Sequence, residues 1–105
     1  MAENVKAVEF IPCRKICVVD PGELNVTSGE TVVFVNSSKA ELRVFFGKGE
    51  LFGTELIRIS GGGRQELQVK ARRVERPVVY HYSVFCDETD TFAVGGSNPR
   101  IILNP

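Results

Sequence analysis

The chain has 105 residues, 43% of them hydrophobic and 25% charged, which suits one folded core and lies far from the composition of disordered chains. Thirteen basic residues are balanced by thirteen acidic ones, so no overall field draws the protein to nucleic acid or to an anionic membrane. No apolar run approaches the roughly 20 residues of a membrane helix, and the opening MAENVKAVEF lacks the apolar stretch of a signal peptide. The cytosol is the expected compartment on that ground, with a periplasmic or secreted location as the alternative if a leader has been removed. Three cysteines, an odd number in a small domain, argue against a disulfide framework.

Short β-rich runs recur along the chain with turn residues between them, the pattern of a sandwich or barrel. Strands are expected near 5–10, 14–19, 23–27, 31–36, 41–46, 54–60, 64–70, 77–86 and 99–103. Alternation in Leu24/Val26, Val32/Phe34, Leu42/Val44/Phe46, Leu67/Val69 and Val78/Tyr80/Tyr82/Val84 places each set on one sheet face, and these residues form the expected core. Turn chemistry falls at Asp20-Pro21-Gly22, Ser28-Gly29, Gly47-Lys48-Gly49, Gly61-Gly62-Gly63 and Gly95-Gly96. No run keeps a helical period, and GKGELFG at 47–53 has room for one helical turn at most.

Two segments carry a family resemblance. GETVVFVNSS at 29–38 and YHYSVFC at 80–86 are similar to strands of the plastocyanin- and azurin-like proteins, the cupredoxins. The sharpest match is Tyr82-Ser83-Val84-Phe85-Cys86, the aromatic-x-apolar-aromatic-Cys pattern in which the cysteine supplies a copper thiolate. The resemblance implies an all-β Greek-key sandwich, one cupredoxin-like domain over residues 1–105. It also implies ligand positions, which in this chain are Glu41, Cys86, Thr89 and Val94, where the family carries histidine, cysteine, histidine and methionine. A type 1 site needs two imidazoles and a thiolate. This chain holds one histidine, His81, and one methionine, Met1. Copper and other cofactors are therefore not expected, and the ligand positions read as vestigial.

The remaining chemistry is sparse. On an extended strand odd-numbered His81 faces away from even-numbered Cys86 and stands about 16 Å from it. Cys86 is either a buried apolar side chain or a redox-active thiol, with the acidic Asp87, Glu88 and Asp90 nearby disfavouring the thiolate. Cys13 and Cys17, four residues apart on a strand, are too distant for a disulfide unless Pro12 bends the chain, which leaves them as incidental residues or a thiol switch. Glu41 with Asp87, Glu88 and Asp90 lacks the spacing of a calcium loop. Gly61-Gly62-Gly63-Arg64 has no following helix and lacks the phosphate-loop pattern, so a hairpin turn is expected there.

Possible contact surfaces are the acidic Asp87, Glu88 and Asp90, the basic Lys70, Arg72, Arg73 and Arg76, and the apolar pair Leu51 and Phe52, for which capping the core is an equal alternative. No catalytic set of side chains, nucleotide motif or small-molecule substrate site emerges. The expected function is a non-catalytic, copper-free module for protein interaction or self-association. The alternative is a metal- or thiol-redox-responsive protein using Cys86, or Cys13 with Cys17.

Overall fold

The computed structural model describes residues 5–13, 15–47, 49–93 and 99–105. Within them the chain forms β1 (Val5–Cys13), β2 (Ile16–Asp20), β3 (Glu23–Val26), β4 (Thr31–Asn36), β5 (Leu42–Phe45) and β6 (Leu56–Ile59). It continues with β7 (Arg64–Gln68), β8 (Val78–His81), β9 (Ser83–Cys86), β10 (Thr91–Phe92) and β11 (Arg100–Leu103). The sheet orders are β2-β1-β4-β7, β10-β9-β5-β6 and β3-β11-β8. Most pairs are antiparallel, but β1 runs parallel to β4 and β3 runs parallel to β11. The first sheet forms one layer of a sandwich, and the other two, joined through β8 and β9, form the second.

The alternation of apolar residues dictates which faces meet. Val8 and Phe10 on β1, Cys17 and Val19 on β2, and Val32 and Phe34 on β4 point inward, as do Leu42 and Val44 on β5 and Val84 and Cys86 on β9. Phe34 lies at the centre of an aromatic cluster, its ring centroid 6.1 Å from that of Phe10, 5.6 Å from Phe46, 5.7 Å from Phe52 and 6.4 Å from Tyr82. Ile101 and Leu103 of β11 close the core without solvent exposure.

Several elements differ from the sequence expectation, each for a local reason. The run 77–86 is two strands, because Tyr82 marks the point where the chain leaves β11 as partner and takes up β5. Val78 is not a core residue; it is 37% exposed, since β8 has a strand on one side only. Leu51 and Phe52 are buried and cap the aromatic cluster, so they offer no contact patch. Within the segment expected to hold one turn, residues 49–53 make it, closed by the Gly53 NH donating to the Gly49 carbonyl at 2.9 Å. Gly61–Gly63 is not a hairpin between paired strands, because β6 pairs with β5 and β7 with β4. The segment is instead a crossover between the two layers. A β-carbon at Gly61 would fall 2.3 Å from the Lys39 carbonyl oxygen, so only glycine allows this crossover to pack against the 38–41 loop.

One buried carboxylate sits at the opposite end of β4. Burial of Glu30 opposes its ionisation, but the Thr27 backbone NH at 2.5 Å, the Thr27 hydroxyl at 2.9 Å and Lys6 at 3.4 Å outweigh it and hold the carboxyl below its usual value. A depressed carboxyl stabilises the fold above its unfolded-state pKa, and that contribution is lost as pH falls through the folded value. Glu30→Gln is therefore expected to cost about 1–2 kcal/mol at neutral pH, with the difference from the parent shrinking below about pH 4. Urea titrations of both proteins across pH check this.

Candidate functional site

The ligand positions implied by the family resemblance gather at the end of the sandwich where β4 finishes and β5 begins. Glu41 immediately precedes β5, and its carbonyl accepts from the Asp87 NH at 3.2 Å. Leu42 pairs with Cys86, so strand register holds Glu41 beside the start of the 87–90 turn. Within that turn the Thr89 hydroxyl donates to the Cys86 carbonyl at 3.5 Å and shares a hydrogen bond with the Thr91 hydroxyl at 2.7 Å. Val94, the fourth position, lies outside the described residues.

Asn36 builds this end from beneath. Its side chain is fully buried and donates to the carbonyls of Ala40 at 2.9 Å, Ile59 at 2.9 Å and Ser60 at 3.1 Å. Its carbonyl oxygen accepts from the Ser38 NH at 2.9 Å and the Ser38 hydroxyl at 2.6 Å. Satisfying both halves of a buried amide in this way ties the 37–41 loop to the β6–β7 crossover.

Two of the exposed carboxylates here also bond to the scaffold. Asp87 pairs with Arg43 at 3.0 Å, and Glu88 accepts from the Lys39 NH at 2.5 Å. Asp90 occupies the left-handed region with φ 53°, which closes the turn. They do not converge: among the described residues no group of three or more His, Cys, Asp and Glu side chains is placed to hold a metal ion.

The cysteines correct the sequence reading most directly. Cys13 and Cys17 do not pair with each other; Cys17 is bonded to Cys86, with a Cα–Cα separation of 6.5 Å, and Cys13 is exposed and free. Both bonded residues are buried, Cys17 without exposure and Cys86 at 1%. Cys86 is thus neither a free apolar side chain nor an available thiolate. The disulfide joins an edge strand of one layer to an inner strand of the other. The sulfur at the family's thiolate position is spent on a cross-layer bond, and His81 is exposed on the outer face of β8. These residues do not fit a type 1 copper ion.

No sequence signal identified that pairing. The inward phase of Cys17 with Val19 and of Cys86 with Val84 was visible, but the approach of β2 to the β9–β10 edge is a property of topology. Tyr82, which alternation placed in the core, is buried there. Its ring packs 6.0 Å from Phe46, its hydroxyl has no hydrogen-bond partner among the described residues, and burial pushes the phenol above its ordinary range.

The basic residues Lys70, Arg72, Arg73 and Arg76 are all exposed and belong to the other end of the molecule. Ser28 donates to the Ala71 carbonyl at 2.7 Å, and Arg73 lines a shallow depression with Thr27, Ser28 and Pro105. The length of β4, six residues or about 20 Å, separates this basic end from the acidic one.

Strand order, parallel β1–β4 pairing and a cysteine just before the β9–β10 turn define a cupredoxin-type sandwich. Solved structures make the likeness specific: the chain is similar to amicyanin. The Cu(I) form of one amicyanin variant superposes with a TM-score of 0.61 at 20% identity, covering 99% of this chain and 86% of that one. A second variant, reduced at pH 4, gives 0.61 at 18% identity with the same coverage. A third, also reduced, gives 0.60 at 19% identity. Those structures carry the fold across to this chain. No protein-family model matches it, and a search of curated proteins finds no relative.

Proposed function

We propose that this chain is a non-catalytic, copper-independent domain of cupredoxin fold that serves as a protein interaction or accessory module, with the acidic end as its contact surface. The observation that carries the reading is the state of the ligand end. Its thiolate position is closed by the Cys17–Cys86 bond, while Asp87, Glu88 and Asp90 remain exposed around it. The Asn36 network and the bond from the Asp87 NH to the Glu41 carbonyl hold the two loops in one arrangement, which lowers the ordering cost of binding. An acidic rim on a neutral molecule suits a basic patch on another protein and favours fast, salt-sensitive association. The disulfide also supports a location in an oxidising compartment.

The same bond favours one second reading, a redox-responsive protein in which reduction of Cys17–Cys86 releases β2 from β9. The two are separable by affinity capture from the source cells followed by mass spectrometry. An interaction module retains its partner in Cys17→Ala/Cys86→Ala and loses it in Asp87→Asn/Glu88→Gln/Asp90→Asn. Partner capture that depends on the disulfide and ignores the acidic residues would favour the redox reading. Calorimetric titration of the oxidised protein with copper is expected to show no stoichiometric binding, and a tight one-to-one isotherm would defeat the copper-independent reading.

A further inference from the structure

The outer face of the β10-β9-β5-β6 sheet carries a row of side chains that its ordinary solvent-facing role does not explain. Register places Phe92, Phe85, Arg43 and Arg58 directly abreast on four successive strands. All four point outward, because their sequence neighbours Ala93, Val84, Leu42 and Ile59 are buried. Phe92 is 59% exposed and meets Phe85 edge to face, with ring centroids 5.2 Å apart. The Arg43 guanidinium lies over Phe85 at 5.1 Å from its centroid. Arg58, directly across from Arg43, is exposed and is a like charge at a facing cross-strand position, an arrangement that costs stability. Arg43 has Asp87 as its counter-ion, while Arg58 has no ion pair among the described residues. Two register positions further, on the same face, Phe45 and Leu56 face each other and are each 39% exposed.

The order of this row is aromatic, aromatic, cation, cation. A two-fold axis parallel to the strands, lying between two stacked sheets and midway between β9 and β5, reverses it. Phe92 then faces Arg58 of the second copy and Phe85 faces its Arg43, with the reciprocal pairs generated by the same operation. Each guanidinium meets an aromatic face, and the exposed Arg58 gains a partner of the kind it lacks among the described residues of its own chain. We infer that this sheet face is a self-complementary surface through which two copies of the chain associate, using reciprocal Phe92–Arg58 and Phe85–Arg43 contacts.

The surface is distinct from the acidic end, so this inference goes beyond the proposed module function and does not depend on it. Four strands span about 14 Å across the row, which places the interface at the small, weak end of the range for specific contacts. Association is therefore expected to depend on concentration.

Sedimentation equilibrium of the full chain from about 10 µM to about 1 mM tests it, a window matched to an interface of this size. The parent protein is expected to shift from monomer to dimer across that window. Phe92→Arg puts cation against cation and is expected to weaken dimerisation at least tenfold, as is Arg58→Glu. Phe92→Glu puts a carboxylate against Arg58 and is expected to preserve dimerisation with a stronger salt dependence. The double variant Phe92→Arg/Arg58→Glu restores opposite partners and is expected to recover it. A parent chain that remains monomeric throughout overturns the inference. So does a dimer that Phe92→Glu and Phe92→Arg weaken equally and that the double variant does not rescue, because a merely apolar patch behaves in that way.

Discussion

Replacing Cys17 and Cys86 together by alanine is expected to lower the unfolding free energy by about 4 kcal/mol, read from denaturant titrations of the oxidised parent and the variant. The bond joins residues 69 positions apart, and closing a loop of that length removes much of the unfolded chain's freedom. The fold has few other means of holding β2. That strand is an edge of its sheet, hydrogen-bonded to β1 alone, and the disulfide fastens it to β9 in the other layer. Cys13→Ser supplies the control, because Cys13 is exposed and unbonded and its loss is expected to change stability by less than about 0.5 kcal/mol. A double-alanine variant as stable as the parent would show that the buried faces alone fix β2.

Phe34→Ala is expected to cost about 3–5 kcal/mol, the range for emptying an aromatic site in a packed core. Phe34 is fully buried and contacts the rings of Phe10, Phe46, Phe52 and Tyr82, which come from β1, the segment after β5, the 49–53 turn and the residue between β8 and β9. No single neighbour can move into the gap without leaving its own contacts, so the cavity term stays large. Chemical denaturation gives the value directly. Phe92→Ala, measured at low micromolar concentration, is the comparison. Its ring is 59% exposed, and a loss approaching that of Phe34 would contradict the assignment of inner and outer faces.

The sheet faces were legible in the sequence because period-two alternation is a local property. Val32 and Phe34, Leu42 and Val44, and Val84 all lie where alternation put them, and the aromatic-x-apolar-aromatic-Cys run led to the fold. Partners that alternation does not encode were not legible. Val78 has the right phase for burial, but β8 has an open side, and only strand order reveals that. Leu51 and Phe52 sit in a Gly-rich turn whose sequence left contact patch and core cap equally open; they are buried, with Phe52 packed on Phe34 and Phe46. The cysteines show the same limit more sharply. The rejected pair, Cys13 with Cys17, was judged on distance along one strand, whereas the bonded pair meets across the sandwich. The outer row of Phe92, Phe85, Arg43 and Arg58 likewise depends on the register of four strands, two of them from distant parts of the chain.

β11 also governs how the fold closes. It lies between β3 and β8, and Arg100 reaches back 77 residues to bond Glu23. Until β11 docks, β3 lacks its parallel neighbour and β8 lacks the one strand it pairs with among the described residues. A chain with β11 undocked therefore presents two bare edges, the kind of intermediate that pairs wrongly with other chains. Contacts this remote in sequence also form slowly, so the interval before β11 docks is where the folding chain is most exposed to aggregation.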